Sequence, residues 1–204
     1  MSYNTWIHKV SRQMVKPLVD TPVTPNHLTT GRLLFGLAAA GAFALGETFW
    51  NWIGALCFLL SMILDRADGE LARLGGTTSR FGAYYDLATD AICNSVIFIG
   101  IGFAAMQGAF GTWGLLLGII AGISVSIIFL VIMQTEIQFG HGTATFDHTA
   151  GFDPDDAMII VPIVVAVGFG DYLLIAAAVC SPIAAIIICR DLYQRRKQLL
   201  ADKS

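Results

Sequence analysis

The chain has 204 residues, 55% of them hydrophobic and 13% charged, and a net charge of −3 from 12 Lys and Arg against 15 Asp and Glu. A soluble domain carries about a quarter charged residues, so an ordinary water-soluble domain is excluded, and the long apolar blocks read as an all-α integral membrane protein. Cys57, Cys93, Cys180 and Cys189 all fall in apolar runs without metal-site spacing, which excludes a zinc site and a disulfide framework. The first twenty residues lack the apolar core and cleavage site of a signal peptide.

In chain order, residues 1–24 form an amphipathic juxtamembrane helix and linker. Trp6, Ile7, Val10, Met14 and Leu18 recur at helical spacing, with Lys9, Arg12 and Lys16 on other faces. Such a segment suits the cytoplasmic headgroup layer. Residues 25–204 form a six-helix transmembrane domain, with crossings expected at 28–45, 49–71, 81–106, 112–136, 157–169 and 172–192. Tight links near 46–48, 107–111 and 168–171 make neighbouring helices antiparallel. Gly114, Gly118, Gly122 and Ser126 recur four apart in the fourth crossing. This small-residue stripe admits a close helix, either inside the bundle or across a homodimer.

Six crossings put every cation on one side. Lys9, Arg12, Lys16 and Arg32 lie at the amino-terminal side of the first crossing, Arg66, Arg73 and Arg80 around the second link, and Arg190, Arg195, Arg196, Lys197 and Lys203 at the end. The positive-inside rule makes that side cytoplasmic, so both termini face the cytoplasm.

The second link also holds the chemistry. In "LDRADGELARLGGTTSRFGAYYDLATDA", Asp65 and Asp68 are three apart and Asp86 and Asp90 four apart, so each pair shares a helix face. Two antiparallel helices joined by "GGTTS" bring those faces together beside Gly69, Ala72 and Gly82. A charge within a span costs about 2.5–3.5 kcal/mol on insertion scales, and such residues have partners or functions. Two divalent ions balance four carboxylates, and hard oxygen ligands indicate Mg²⁺ or Mn²⁺. Metal ions beside small residues suit phosphoryl transfer from a pyrophosphate, with a flat nucleotide close to the backbone. A divalent-cation channel is the alternative of another class.

The pattern Asp65-x2-Asp68-Gly69-x2-Ala72-Arg73-x8-Gly82-x3-Asp86-x3-Asp90 resembles, without mismatch, the signature of the CDP-alcohol phosphotransferases (CDP-alcohol phosphatidyltransferases). "TPNHLTTGR", with Pro25, Asn26, Thr29 and Arg32, is similar to the family's opening of the first crossing. The resemblance covers 25–95 by motif and the rest by architecture. It implies transfer of a substituted phosphate from a CDP-linked donor to an alcohol, with release of CMP, in phospholipid synthesis. Asp65, Asp68 and Asp86 are then metal ligands, and Asp90 lies near the second ion as general base. Gly69, Ala72 and Gly82 line the cytidine pocket, with Arg73 and Asn26 as further nucleotide contacts. No nucleic-acid partner is implied.

The motif leaves the acceptor open. Residues 136–156, "EIQFGHGTATFDHTAGFDPDD", carry Asp155 and Asp156 among other acids, three Phe and no Lys or Arg. A phosphorylated acceptor wants a guanidinium or ammonium near its phosphate, and 81–189 offers neither. An amino alcohol of the serine, ethanolamine or choline type is therefore the expectation, with Asp155 and Asp156 as its contacts. The same acids also suit a plain helix start. A phosphatidylglycerol phosphate or phosphatidylinositol phosphate type of synthase is the alternative, with Arg32 among the residues available to the acceptor.

Overall fold

The structure, a computed structural model, describes residues 15–19, 21–108, 110–139 and 158–201, and only the backbone of Arg80, 136–139 and 198–201. Among the described residues the chain is all helical. After a 3₁₀ turn at Lys16–Leu18 come α1 (Pro25–Ala44), α2 (Thr48–Leu74), α3 (Arg80–Gln107), α4 (Thr112–Phe139), α5 (Ile160–Ala166) and α6 (Gly170–Ala201).

Local chemistry sets the helix ends that matter here. Pro25 occupies the first helical position of α1, and Thr24 N donates to His27 Nδ1 at 3.2 Å. At the end of α2, Thr77 N reaches back to the Ala72 carbonyl at 3.1 Å across Gly76, whose φ is +62°. That left-handed step closes the helix cheaply only at glycine. Ser79 then caps α3 by accepting from Gly82 N at 3.0 Å. The expected "GGTTS" hairpin is therefore made by a helix stop and a helix start with five residues between them.

Four helices, over Thr48–Leu74, Phe81–Gln107, Thr112–Thr135 and Gly170–Lys197, are long and apolar enough to cross a bilayer. Outward side chains are apolar as well: Leu34 is 63% and Ile186 69% exposed. A hydrocarbon surround explains that pattern, and the protein is an integral membrane protein. In the stretch expected to cross at 157–169, the described helix is α5, seven residues long.

α1 packs against α2 and α3, α3 against α4, α4 against α6, and α5 against α2. Phe43, Phe58, Ile97, Phe98, Val161, Val165 and Leu174 fill the centre. Residues 1–14 of the expected surface helix lie outside the described residues. The part that follows sits on the bundle, with Val15, Leu18 and Val19 against Ala67 and Leu71 of α2.

The small-residue stripe of α4 is used inside the chain. A Cβ at Gly118 would stand 2.5 Å from the Phe98 carbonyl oxygen of α3, and one at Gly122 2.7 Å from that of Ser95. Ser126 Oγ donates to the Ala91 carbonyl at 2.8 Å and meets Ser95 Oγ at 2.5 Å. Close backbone approach and satisfied hydroxyls are what small residues permit in a membrane bundle. The α1–α3 contact is tighter still, because a Cβ at Gly100 would come closer to the Ala40 carbonyl oxygen than either of these. Gly100→Ala is expected to destabilise by about 1–3 kcal/mol through overpacking. Gly41→Ala, with nothing within 4 Å of the new carbon, is expected to be neutral. Thermal unfolding of the two variants in detergent checks the contrast.

Candidate active site

Asp65 and Asp68 leave the last turns of α2, and Asp86 and Asp90 the first turns of α3, so the helix stop and start described above set their separation. One carboxylate oxygen from each of Asp65, Asp68 and Asp86 lies within 4.8 Å of the others. Three hard oxygen donors this close fit a divalent ion such as Mg²⁺ or Mn²⁺ after small side-chain movements. Asp68 is buried, at 5% exposure, and its Oδ2 accepts from Thr29 Oγ1 at 2.6 Å. A buried carboxylate needs such a partner, and the bond fixes which way it faces.

Asp90 sits one turn deeper and joins a different set. The Arg32 guanidinium, 6% exposed, pairs through Nη1 with Asp65 Oδ1 at 2.5 Å and with Asp86 Oδ1 at 2.9 Å. Its Nη2 pairs with Asp90 Oδ1. The sequence reading gave this arginine to the acceptor; in the fold it lies among the carboxylates, because α1 packs into the groove between α2 and α3. The fourth carboxylate, expected near a second ion, therefore has a guanidinium beside it. Ser61 Oγ anchors the same turn of α1 by donating to the Arg32 carbonyl at 3.0 Å.

Beside the three-carboxylate cluster is a cavity of about 600 Å³, a volume typical of small-molecule sites. Asn26, Gly69, Ala72, Arg73 and Gly82, the residues assigned to the nucleotide, all line it together with Asp68 and Asp86. Gly82 is small for a local reason, since a Cβ there would lie 3.1 Å from Ser79 Oγ and 3.5 Å from Asn26 Oδ1. Arg73 Nη2 pairs with Glu70 Oε1 at 2.9 Å, which holds it at the rim. The sequence reading missed two walls: residues 21–24 before α1, and Thr77, Thr78 and Ser79 in the hairpin. The run of hydroxyls in "GGTTS" was the available signal. Asp155 and Asp156 lie outside the described residues.

A further group of cations lies where α6 meets α4. Arg196 donates from Nε and Nη2 to Thr135 Oγ1 at 3.0 and 2.7 Å, and Arg195 Nε pairs with Asp191 Oδ2 at 2.8 Å.

The chain resembles known proteins along most of its length. The family model described as CDP-alcohol phosphatidyltransferase matches residues 22–179. A phosphatidylinositol phosphate synthase of Mycobacteroides abscessus is 32% identical over 111 residues, which are 52% of this chain and 46% of that protein. The matched stretch thus spans about half of the relative's length. Two crystal structures of Mycobacterium tuberculosis phosphatidylinositol phosphate synthase share the fold at 21% identity. The one with CDP-DAG bound gives a TM-score of 0.69 and covers 92% of this chain and 93% of that one. The other, in complex with manganese and citrate, gives 0.65 and covers 87% and 88%. The family match runs through both halves of the aspartate cluster, from before α1 into α6: the chain belongs to the CDP-alcohol phosphatidyltransferase family.

Proposed function

We propose that this protein is a membrane enzyme of phospholipid synthesis that transfers a phosphatidyl group from CDP-diacylglycerol to an inositol phosphate, releasing CMP. The observation that carries the reaction class is the three-carboxylate cluster opening on a cavity lined by Asn26, Gly69, Ala72, Arg73 and Gly82. The CDP-DAG and the manganese named for the tuberculosis structures support the donor and the metal. The family match counts against a cation channel.

For the acceptor, the relatives favour the alternative over the amino alcohol. The amino-alcohol expectation rested on the lack of Lys and Arg in 81–189. Cations beyond that stretch support the alternative: α6 continues past the apolar run and brings Arg196 onto Thr135 of α4. Cations absent from the sequence between α3 and α6 are therefore present at the end of the bundle. A phosphomonoester wants charge-assisted donors, and Arg196 is the candidate this reading assigns to it.

Asp65, Asp68 and Asp86 would hold a divalent ion that neutralises the pyrophosphate oxygens and the departing CMP. The chain's own residues do the rest. The cavity admits the nucleotide where Gly69 and Gly82 leave the backbone bare. Asp90, 13% exposed and oriented by Arg32, takes the proton of the acceptor hydroxyl as its oxygen attacks the β-phosphorus. The new P–O bond replaces the bond to CMP, and alignment of the reactants lowers the barrier. In the same reading residues 1–24 lie at the cytoplasmic surface. Residues 25–204 cross the membrane six times, with the site and both termini cytoplasmic.

The test is CMP release by protein in detergent with Mn²⁺ and CDP-diacylglycerol, offered inositol phosphate, glycerol phosphate, inositol or serine. CDP-choline and CDP-ethanolamine with diacylglycerol complete the series. Inositol phosphate is expected to be the best acceptor, and a preference for serine would restore the amino alcohol. Arg196→Ala is expected to raise KM for the phosphorylated acceptor by about 10-fold or more, the worth of a hydrogen bond to a charged group, with kcat little changed. An unaltered KM would remove Arg196 from the acceptor site.

A further inference from the structure

Helix α1 touches every carboxylate of the motif. Thr29 and Arg32, three residues apart and so on one face, divide the four between them: Thr29 bonds Asp68, and Arg32 pairs with Asp65, Asp86 and Asp90. Two of the three metal-spaced carboxylates thus already give one oxygen, Oδ1, to a fixed positive charge. Asp65 and Asp86 are 27% exposed, whereas the guanidinium is 6% exposed and enclosed by protein. Burial makes its charge felt strongly at the carboxylates and screens it little by salt.

We infer that Arg32 is the built-in counter-ion of the cluster, a positioning residue that gathers Asp65, Asp86 and Asp90 before metal arrives and then opposes the incoming ion, so that it sets the metal affinity. Two consequences have opposite signs. Without the guanidinium, the metal-free protein holds like charges in contact with no compensation, and it is less stable. The same vacated charge makes the cluster a stronger binder of a divalent ion. An arginine that merely packed α1 against α2 would give one sign only, because loosened ligands bind metal more weakly.

The inference rests on the divalent-metal reading above. The experiment follows Mn²⁺ binding to full-length protein in detergent by the EPR signal of free Mn²⁺, and thermal unfolding in the presence of a chelator. Arg32→Gln and Arg32→Met remove the charge, the second keeping an apolar stem against its neighbours. Arg32→Lys retains the charge. Either neutral variant is expected to bind Mn²⁺ at least about 10-fold more tightly than wild type and to unfold at lower temperature when metal-free. The lysine variant is expected to return to wild-type Mn²⁺ affinity. Neutral variants that bind Mn²⁺ no more tightly than wild type would overturn the inference while leaving the metal site intact. Wild-type protein that binds no Mn²⁺ would overturn the metal reading, and the inference with it.

Discussion

Asp90→Asn is expected to lower CMP release by about 10²–10⁴-fold, the range lost when a positioned general base is removed. The substitution keeps the shape of the side chain and takes away its negative charge, and with it both its capacity to accept a proton and the charge of its pair with Arg32. Asp90 is the right place to look for that capacity because it stands apart from its three neighbours. It lies outside the oxygens that approach within 4.8 Å, one turn further along α3, and Arg32 Nη2 orients it. Mn²⁺ binding and KM for the CDP-linked donor are therefore expected to survive in the variant, with the loss concentrated in kcat. Initial rates at saturating acceptor, combined with a Mn²⁺ titration, separate the cases. If the Asp90→Asn protein loses Mn²⁺ binding in step with its activity, Asp90 is a metal ligand and the base lies elsewhere.

Much of this arrangement could be read from residue spacing. Asp65 with Asp68 and Asp86 with Asp90 fall on helix faces, and the short turn between them keeps their acidic ends close, with α1 packed against both helices. The expected helices 49–71 and 81–106 became Thr48–Leu74 and Arg80–Gln107, and five small or polar residues assigned to one pocket do line one cavity. Apart from Asn26, which comes from α1 and was carried by the family resemblance, those readings rest on contacts between neighbours in sequence. Contacts between distant elements were harder. Thr29 and Arg32 stand near a helix start, where a sequence shows a polar face but not the helix it meets, so their contacts with the carboxylates were not legible there.

The contact that α6 makes beyond its apolar run was hidden for a related reason. Charges from Arg190 onward end the apolar run, and the crossing was drawn to stop at 192. The helix continues to Ala201, with Asp191 and Arg195 paired one turn apart. A membrane boundary is a change of solvent, and a helix can pass through it without breaking. That continuation is what carries Arg196 back to Thr135.

Removal of metal is the other change expected to abolish turnover, and it can be graded at a single carboxylate. Dialysis against a chelator is expected to stop CMP release, and added Mn²⁺ or Mg²⁺ to restore it. Asp68→Asn is expected to bind Mn²⁺ more weakly by well over about 10-fold, because the ion loses both a negative charge and a directed donor. Thr29→Val makes a subtler demand. It leaves all four carboxylates in place and removes only the hydroxyl bonded to Asp68 Oδ2 at 2.6 Å. Partners that orient a ligand are worth about 10–100-fold in metal affinity, so this variant is expected to fall between wild type and Asp68→Asn. Excess metal should largely rescue its rate, and should not rescue that of Asp90→Asn. If Thr29→Val binds Mn²⁺ as wild type does, helix α2 alone orients Asp68, and α1 acts on the cluster only through Arg32.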